Sequence, residues 1–186
     1  HPDFAQHDLV QTTGGWQEFV IAVPDQGHMG LNKESDQVTP VMAPSVLGIT
    51  GLTAYFGMLD LGNPQPGETV LVSGAAGATG SVAGQIARIK GCRVVGIAGG
   101  AAKCAWLKDE AGFDAVIDYK QGNVSDQIKA TCPDKVDVYF DNVGGEILEA
   151  ALNHINLRAR VVMCGGISGY NATEPVPGPA NLMNLV

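Results

Sequence analysis

Short apolar runs alternate with segments of helical spacing from residue 69 to residue 164. The first run, residues 69–73, is short and continuous, as in a strand that is buried on both faces. The next segment, residues 78–90, places Val82, Ile86 and Ile89 on one side of a helix. The same criteria predict strands at 93–97, 115–118, 136–141 and 160–164 and helices at 101–111, 125–130 and 146–155. This alternation predicts an α/β fold, a doubly wound parallel sheet with helices on both faces.

The first part of the chain is less regular. Residues 7–11 and 16–22 are typical of two strands, and the Thr/Gly segment between them, residues 12–15, predicts a hairpin. Residues 24–44 carry Pro, Gly, Asn and Asp without a period and predict a loop. A helix is predicted over 45–61, and the Pro/Gly-rich segment that follows ends it. We therefore expect a partial first domain over 1–45 and an α/β domain over 46–186.

The composition excludes several classes of protein. Hydrophobic residues make up 45% of the 186 residues and charged residues 16%, with 25 glycines and a formal net charge of −8. A chain this apolar is not disordered, and a chain this acidic has no general attraction for nucleic acid or for anionic membranes. No apolar run approaches the ~20 residues that cross a bilayer. The sequence therefore predicts a soluble protein whose partner is a small molecule.

The cysteines and the chain ends give weaker indications. Four cysteines are far apart in sequence, at 92, 104, 132 and 164, which does not match the spacing of a zinc site. An even number leaves disulfides open, but Cys92 and Cys164 lie in or beside apolar strands and favour reduced thiols in the cytoplasm. The chain begins at His1 without Met, and residues 181–186 are typical of the first turn of a further helix. Both ends are expected to be internal to a longer protein.

A glycine-rich turn connects the first buried strand to its helix. Gly74, Gly77 and Gly80 form the pattern G-x-x-G-x-x-G, a variant of the dinucleotide fingerprint. The first glycine allows a sharp turn out of the strand, the second lets backbone amides approach a pyrophosphate, and the third permits close packing of the helix. The helix N-terminus adds partial positive charge. The alternative is a tight turn that binds nothing.

The second strand indicates which dinucleotide would bind. An NAD site has an acidic residue about 20 residues further on, at the end of this strand, that accepts a hydrogen bond from the ribose 2′-hydroxyl. Residues 94–100 contain no acid, so nothing there would repel the 2′-phosphate of NADP. Lys103 follows and could attract that phosphate, although it could also be an ordinary solvated lysine. The sequence therefore favours NADP(H) as the cofactor.

Six ordered motifs resemble a known family. They are residues 48–57, 73–80, 91–100, 113–120, 139–146 and 164–171. Together they are similar to the zinc-free, NADPH-dependent branch of the medium-chain dehydrogenase/reductase superfamily. Within it they most resemble the alkenal/one reductases, which include the prostaglandin and leukotriene reductases and the bacterial curcumin reductases. The resemblance extends from about residue 14 to the end of the chain.

This resemblance implies a domain organisation. Residues 1–45 would be the last portion of an N-terminal, GroES-like catalytic segment rich in β-structure. Residues 46–186 would be an NADP-binding Rossmann domain that stops before its last strand. Members of the family pair subunits through the edge of the Rossmann sheet, so the full-length protein is expected to be a homodimer. No zinc is implied.

The resemblance also assigns site residues. Residues 76–79 would hold the pyrophosphate through their backbone, and Lys103 and Tyr119 would hold the 2′-phosphate. Tyr55 and Tyr170 would be the catalytic residues, facing the substrate cleft. The implied cofactor-binding residues are Gly74, Ala76, Gly77, Ala78, Thr79, Gly80, Gly99, Lys103, Tyr119, Asn142, Cys164, Gly165, Ile167 and Tyr170. The alternatives are a core role for Tyr119 and a structural loop role for Tyr170.

The activity implied by the resemblance is the NADPH-dependent reduction of an activated carbon–carbon double bond. Hydride would add to the β-carbon of an α,β-unsaturated ketone or aldehyde, and negative charge would move to the carbonyl oxygen as an enolate. A hydroxyl donor such as that of Tyr170 would stabilise this charge. Two alternatives stay open: a quinone oxidoreductase of the same superfamily and a non-catalytic NADPH-binding module.

Overall fold

The computed structural model describes residues 2–12, 15, 17–22, 32–33 and 37–185. The chain divides into two compact units, His1–Thr50 and Gly51–Val186. In the first unit, β1 (Val10–Gln11) pairs antiparallel with β2 (Asn32–Lys33). An ion pair between Lys33 Nζ and Asp8 Oδ2, 2.9 Å apart, lies beside this pair of strands.

The predicted hairpin over 7–22 is wrong. Val10 and Gln11 pair with residues 32–33, and residues 17–22 form no strand. Thr13, Gly14 and Trp16 of the hairpin lie outside the described residues, as do 24–31 and 34–36 of the predicted loop. Residues 32–33 of that loop form β2, against the prediction, whereas 37–44 consist mainly of turns, as predicted. Alternation of apolar and polar residues gives each strand a face, but it does not determine which strand is its partner.

The predicted helix over 45–61 is shorter and less regular in the structure. α1 spans Ile49–Phe56, and a π-helical segment, Gly57–Gly62, continues it. Turns precede α1, and Ser45 Oγ donates a hydrogen bond to the Val41 carbonyl oxygen at 2.5 Å. The π-helix ends at Asn63, whose φ is +39° and whose amide donates to the Met58 carbonyl oxygen.

The second unit is built on a five-stranded parallel sheet. Its strands are β3 (Thr69–Val72), β4 (Arg93–Ala98), β5 (Ala115–Asp118), β6 (Val136–Asp141) and β7 (Ile155–Met163). Its further helices are α2 (Ala78–Ile89), α3 (Ala101–Asp109), α4 (Val124–Thr131) and α5 (Gly145–Leu152), with short 3₁₀ turns at Ile167–Gly169 and Leu182–Leu185. The strand order is β5-β4-β3-β6-β7, and every neighbouring pair is parallel. The predicted parallel sheet is confirmed.

Helices cover both faces of this sheet, as predicted. Val70 and Val72 point to one face and belong to a core with side chains of α1, α2 and α3, including Leu107. Leu71 points to the other face and belongs to a core with α4 and α5, including Ile128. Because successive side chains of a strand point to opposite faces, a strand that is buried on both faces is apolar at every position.

β7 differs most from its prediction. It begins at Ile155, five residues before the predicted start, and α5 ends at Leu152 rather than at residue 155. The additional residues are mostly polar or exposed, and the pairing with β6 is irregular between Val136 and Val138. Such a segment has no continuous apolar run because β7 is an edge strand of the described sheet, where one side need not be buried.

Candidate functional site

The candidate site lies at the carboxyl edge of the sheet, where the strand order reverses. From β3 the chain crosses to β4 on one side, while the later strand β6 pairs with β3 on its other side. In open α/β sheets the crevice at such a reversal is where ligands bind. The turns that follow β3, β4 and β6 therefore define the site.

The turn after β3 is held tightly against the start of α2. Gly74 has a φ of +56°, a conformation that favours glycine because it has no Cβ. A Cβ at Gly80 would overlap the Gly74 carbonyl oxygen and lie 3.0 Å from Ala75 Cα. The Ala75 amide donates to the Ile97 carbonyl oxygen at 3.0 Å, which fixes the turn to β4. Gly74 and Gly80 thus allow one close approach between the turn and the helix.

Three helices at this edge begin at glycine. Gly77, Gly100 and Gly144 are the N-cap residues of α2, α3 and α5, and none caps its helix with a side chain. By contrast, α4 is capped by Asn123, whose Oδ1 accepts from the Asp126 amide at 3.0 Å. A helix start without a side-chain cap leaves amide donors and partial positive charge available to an anion. The exposed turn before α2 therefore fits the pyrophosphate of a dinucleotide.

A buried carboxylate connects the ends of β3 and β6. Asp141 is fully buried, and its Oδ1 accepts hydrogen bonds from Ser73 Oγ at 2.6 Å and from Tyr139 Oη at 2.8 Å. The backbone amides of Val143 and Gly144 donate to the same oxygen at 3.0 and 3.1 Å. Burial, and then the Asp141 carboxylate, raise the pKa of Tyr139 well above its ordinary value, so its hydroxyl stays protonated. This cluster fixes the distance between the two turns.

Asn142 is positioned by the same cluster. Its backbone amide donates a hydrogen bond to Ser73 Oγ at 2.9 Å, and its side-chain Nδ2 donates to the Ser73 carbonyl oxygen at 2.7 Å. A Cβ at Gly74 would lie 3.3 Å from Asn142 Cβ. Asn142 thus lies against the glycine turn, next to Gly74, which is also a predicted cofactor-binding residue.

The loop after β7 is fastened to the loop after β6. The amides of Cys164 and Gly165 donate to the Asp141 carbonyl oxygen at 2.8 and 3.0 Å, and the Ile167 amide donates to the Asn142 carbonyl oxygen at 3.3 Å. Burial, and then the charge of Asp141, raise the pKa of the Cys164 thiol. Four of the predicted cofactor-binding residues, Asn142, Cys164, Gly165 and Ile167, therefore lie together.

Tyr170 lies over this loop. Its Oη accepts a hydrogen bond from the Gly166 amide at 3.2 Å, and a Cβ at Gly165 would lie 3.0 Å from the same oxygen. The side chain is 69% exposed, so the bond to Gly166 is compatible both with a loop role and with a hydroxyl that faces a ligand.

The predicted 2′-phosphate residues lie at the ends of β4 and β5. A Cβ at Gly99 would lie 2.7 Å from Tyr119 Cε1, so the ring packs directly against this glycine. Tyr119 is 44% exposed, which makes the core role for it wrong. Lys103 is exposed in the first turn of α3, and the Gly100 amide before that helix donates to Asp118 Oδ1 at 2.9 Å.

Tyr55 lies on a different element from these residues. It lies in α1, where it is half-exposed and packs edge-on against Phe56, with ring centroids 5.3 Å apart. Within the described part of the chain, no hydrogen bond joins it to the other predicted site residues. Its assignment to the substrate cleft stays a prediction.

Sequence reasoning misses the residues that hold the turns in place. Ser73, Tyr139 and Asp141 form the buried cluster, and Asp118 holds the start of α3. Two of them carry a recognisable signal, since Asp118 and Asp141 are each the acidic last residue of a strand. An acid that ends a buried strand at this edge is adjacent to a ligand site by topology.

The described residues form neither a metal site nor a membrane span. No group of three or more His, Cys, Asp or Glu side chains in the described ranges could hold a metal ion. No helix among them is both long and apolar enough to cross a bilayer. The four cysteines are free thiols, two of them buried.

Most of the α/β unit has a counterpart in a known family. Residues 78–185 match the family model described as zinc-binding dehydrogenase. This chain belongs to the zinc-binding dehydrogenase family. The match begins at the first residue of α2 and includes β4, β5, β6 and β7 with the turns that follow β4 and β6, whereas β3 and Gly74 lie before it. The predicted membership of the medium-chain dehydrogenases/reductases is thereby confirmed.

Relatives within the zinc-binding dehydrogenase family narrow the resemblance. The chain is 43% identical to the NADPH-dependent curcumin reductase of Escherichia coli (strain K12), over 100% of this chain and 53% of that protein. It is 42% identical to the NADP(+)-dependent 2-alkenal reductase of Nicotiana tabacum, over 100% of this chain and 53% of that protein. The crystal structure of CurA from Vibrio vulnificus in complex with NADPH is 42% identical, with a TM-score of 0.77 over 86% of this chain and 48% of that one. The chain spans about half the length of the curated relatives that it matches.

Proposed function

We propose that the full-length protein carrying this chain is an NADPH-dependent reductase of activated carbon–carbon double bonds in α,β-unsaturated ketones and aldehydes. The observation that carries the proposal is the glycine turn at the strand-order reversal, which leads into the uncapped N-terminus of α2. The names of the curcumin and 2-alkenal reductases support this class of substrate. The CurA–NADPH complex supports this cofactor.

In this proposal the chain binds the cofactor along the carboxyl edge of the sheet. The backbone of Ala76, Gly77, Ala78 and Thr79 holds the pyrophosphate. Asn142 lies along the phosphate or ribose of the cofactor. Cys164, Gly165 and Ile167 line the nicotinamide side, on a loop that is hydrogen-bonded to the Asp141 carbonyl oxygen. Bound NADPH supplies the hydride that adds to the β-carbon of the substrate.

Tyr170 is the residue that we assign to the substrate carbonyl. Because its Oη accepts a hydrogen bond from the Gly166 amide, its own O–H can donate to the oxygen on which negative charge develops. A donor placed at such an oxygen lowers the barrier because it binds the transition state more tightly than the substrate. Tyr55 is proposed to line the same cleft.

The direct test is turnover by the full-length protein. We expect it to oxidise NADPH in the presence of simple enones and enals, and to bind NADPH in a fluorescence titration without substrate. A higher rate with quinones than with enones would favour a quinone oxidoreductase. Binding without turnover would favour a non-catalytic module, and no binding at all would refute the proposal.

Replacing Lys103 by alanine should weaken NADPH binding by about tenfold to a hundredfold while changing NADH binding little. A charge-assisted contact to a phosphate is worth about 1.5–3 kcal/mol. NADH has no 2′-phosphate and therefore makes no such contact that the substitution could remove. Lys108→Ala is the matched control, since it removes the same charge from the last turn of α3. Equal weakening of both dinucleotides by Lys103→Ala would contradict the assignment.

We further infer that the full-length protein is a cytoplasmic homodimer. The free thiols support a reducing compartment. β7 is an edge strand of the described sheet, and an open edge can be covered by another strand. Light scattering on the full-length protein measures the oligomeric state directly.

A further inference from the structure

We propose that Asp118 limits how strongly this protein prefers NADPH over NADH, because its carboxylate lies where the cofactor 2′-phosphate is received. This inference rests on the proposed function, since it presumes that a dinucleotide binds along the carboxyl edge of the sheet. It makes Asp118 a specificity-determining residue with an effect opposite to that of Lys103.

The position of Asp118 follows from the strand register. Ala98, the last residue of β4, pairs with Asp118, the last residue of β5. Dinucleotide-binding folds contact the adenosine ribose at the end of the second strand of the unit, which is β4 in this chain. β4 itself ends in Ala98, Gly99 and Gly100, so the acid that is absent from the end of β4 is supplied by its neighbour.

The hydrogen bonds of Asp118 leave one carboxylate oxygen available. Oδ1 accepts from the Gly100 amide at 2.9 Å and from the Lys120 amide at 3.1 Å. Oδ2 has no hydrogen-bond partner within the described ranges, and the residue is partly exposed. A free carboxylate oxygen accepts a hydrogen bond from a ribose 2′-hydroxyl, whereas it repels a 2′-phosphate.

The charge of Asp118 is maintained at neutral pH. The amides of Gly100 and then of Lys120 hold the pKa of Asp118 below its ordinary value. Lys103, in the first turn of α3, and Lys120 are the exposed cations of this turn region. The 2′-phosphate would therefore meet attraction from lysine and repulsion from Asp118, and the balance sets the preference between the two dinucleotides.

Asp118→Asn tests this balance, because asparagine retains an oxygen for the two amides and removes the charge. We expect NADPH to bind about five- to tenfold more tightly, as a Coulomb contribution of this size at a solvated site allows, and NADH to bind equally or less tightly. Dissociation constants come from calorimetric titrations of the full-length protein with NADPH and with NADH. The NADPH gain should shrink as salt rises, since salt screens exposed charges.

Asp114→Asn is the matched control. Asp114 precedes β5 and is exposed. Its Oδ2 accepts a hydrogen bond from the Val94 backbone amide at 2.7 Å. The substitution removes the same charge and alters the same kind of hydrogen bond at the opposite end of the strand. The two ends are roughly 13 Å apart for an extended strand, which exceeds the Debye length of about 10 Å. We expect Asp114→Asn to leave the ratio of the two dissociation constants unchanged.

Asp118→Ser is a second uncharged variant, whose hydroxyl can still accept a hydrogen bond from the Gly100 amide. It replaces the asparagine variant if that variant does not fold. The inference alone would be overturned if the wild type binds NADPH normally and both Asp118 variants have the same ratio of NADH to NADPH dissociation constants as Asp114→Asn. Failure of the wild type to bind either dinucleotide would overturn the proposed function and the inference with it.

Discussion

Replacing Asp141 by alanine should lower the free energy of unfolding by about 3–5 kcal/mol. The substitution removes the acceptor of two hydroxyls, from Ser73 and Tyr139, and of two backbone amides, from Val143 and Gly144. Each buried polar group that loses its partner costs about 1–3 kcal/mol, and rotation of the hydroxyls recovers part of the sum. Urea unfolding followed by circular dichroism measures the change.

Asp141→Asn should cost less, about 1–2 kcal/mol. Its amide retains an oxygen that can replace Oδ1, which accepts four of the five hydrogen bonds to the carboxylate, while its NH₂ group would face the Gly144 amide that now donates to Oδ2. Asp134→Ala removes the same charge from an exposed position and should change stability by less than about 0.5 kcal/mol. Equal stability of Asp141→Ala and Asp134→Ala would show that the buried cluster does not support the fold.

Replacing Gly80 by alanine should weaken NADPH binding by more than about tenfold and destabilise the protein by about 1–3 kcal/mol. The new methyl group would overlap the Gly74 carbonyl oxygen and approach Ala75 Cα. Both are backbone atoms of the turn, so relief requires the turn and α2 to move apart. That movement displaces the amides that are proposed to hold the pyrophosphate. Fluorescence titration and urea unfolding measure the two effects.

Gly178→Ala is the control for this substitution. A methyl group at Gly178 would have no heavy atom of the described residues within 4 Å apart from its own chain neighbours, so neither binding nor stability should change. Wild-type affinity in Gly80→Ala would indicate that the turn after β3 tolerates displacement, and it would remove the structural basis for pyrophosphate binding there.

The regular elements of the α/β unit are predictable because their signals are local. β5 and β6 have the predicted bounds, and β3, β4, α2, α3 and α4 agree with prediction to within two residues at each end. A strand that is buried on both faces shows itself as a continuous apolar run, and a helix shows its period within two turns. The first half of β7 lacks such a signal, since Asn156 and Arg158 interrupt its sequence, and it becomes visible only through its pairing with β6.

Some residues of the candidate site are also predictable from local signals. Gly74 and Gly80 are recognisable from their spacing, because a turn between a strand and its helix is formed by consecutive residues. The predicted cofactor-binding residues Asn142 and Gly165 fall at the correct edge for a related reason, since each follows a strand and parallel strands share one carboxyl edge. Their roles toward the cofactor stay predictions.

The sequence by itself determined that this chain forms a parallel α/β sheet with a glycine turn suited to a dinucleotide, because those features depend on residue types at short spacing. Only the tertiary structure decided which polar groups meet. Ser73 and Asp141 are 68 residues apart in sequence yet share a hydrogen bond of 2.6 Å. The Gly100 amide and the Asp118 carboxylate form a hydrogen bond because β4 pairs with β5 in the register that places Ala98 opposite Asp118. Strand order and register bring such pairs together, and neither is encoded in the spacing of nearby residues.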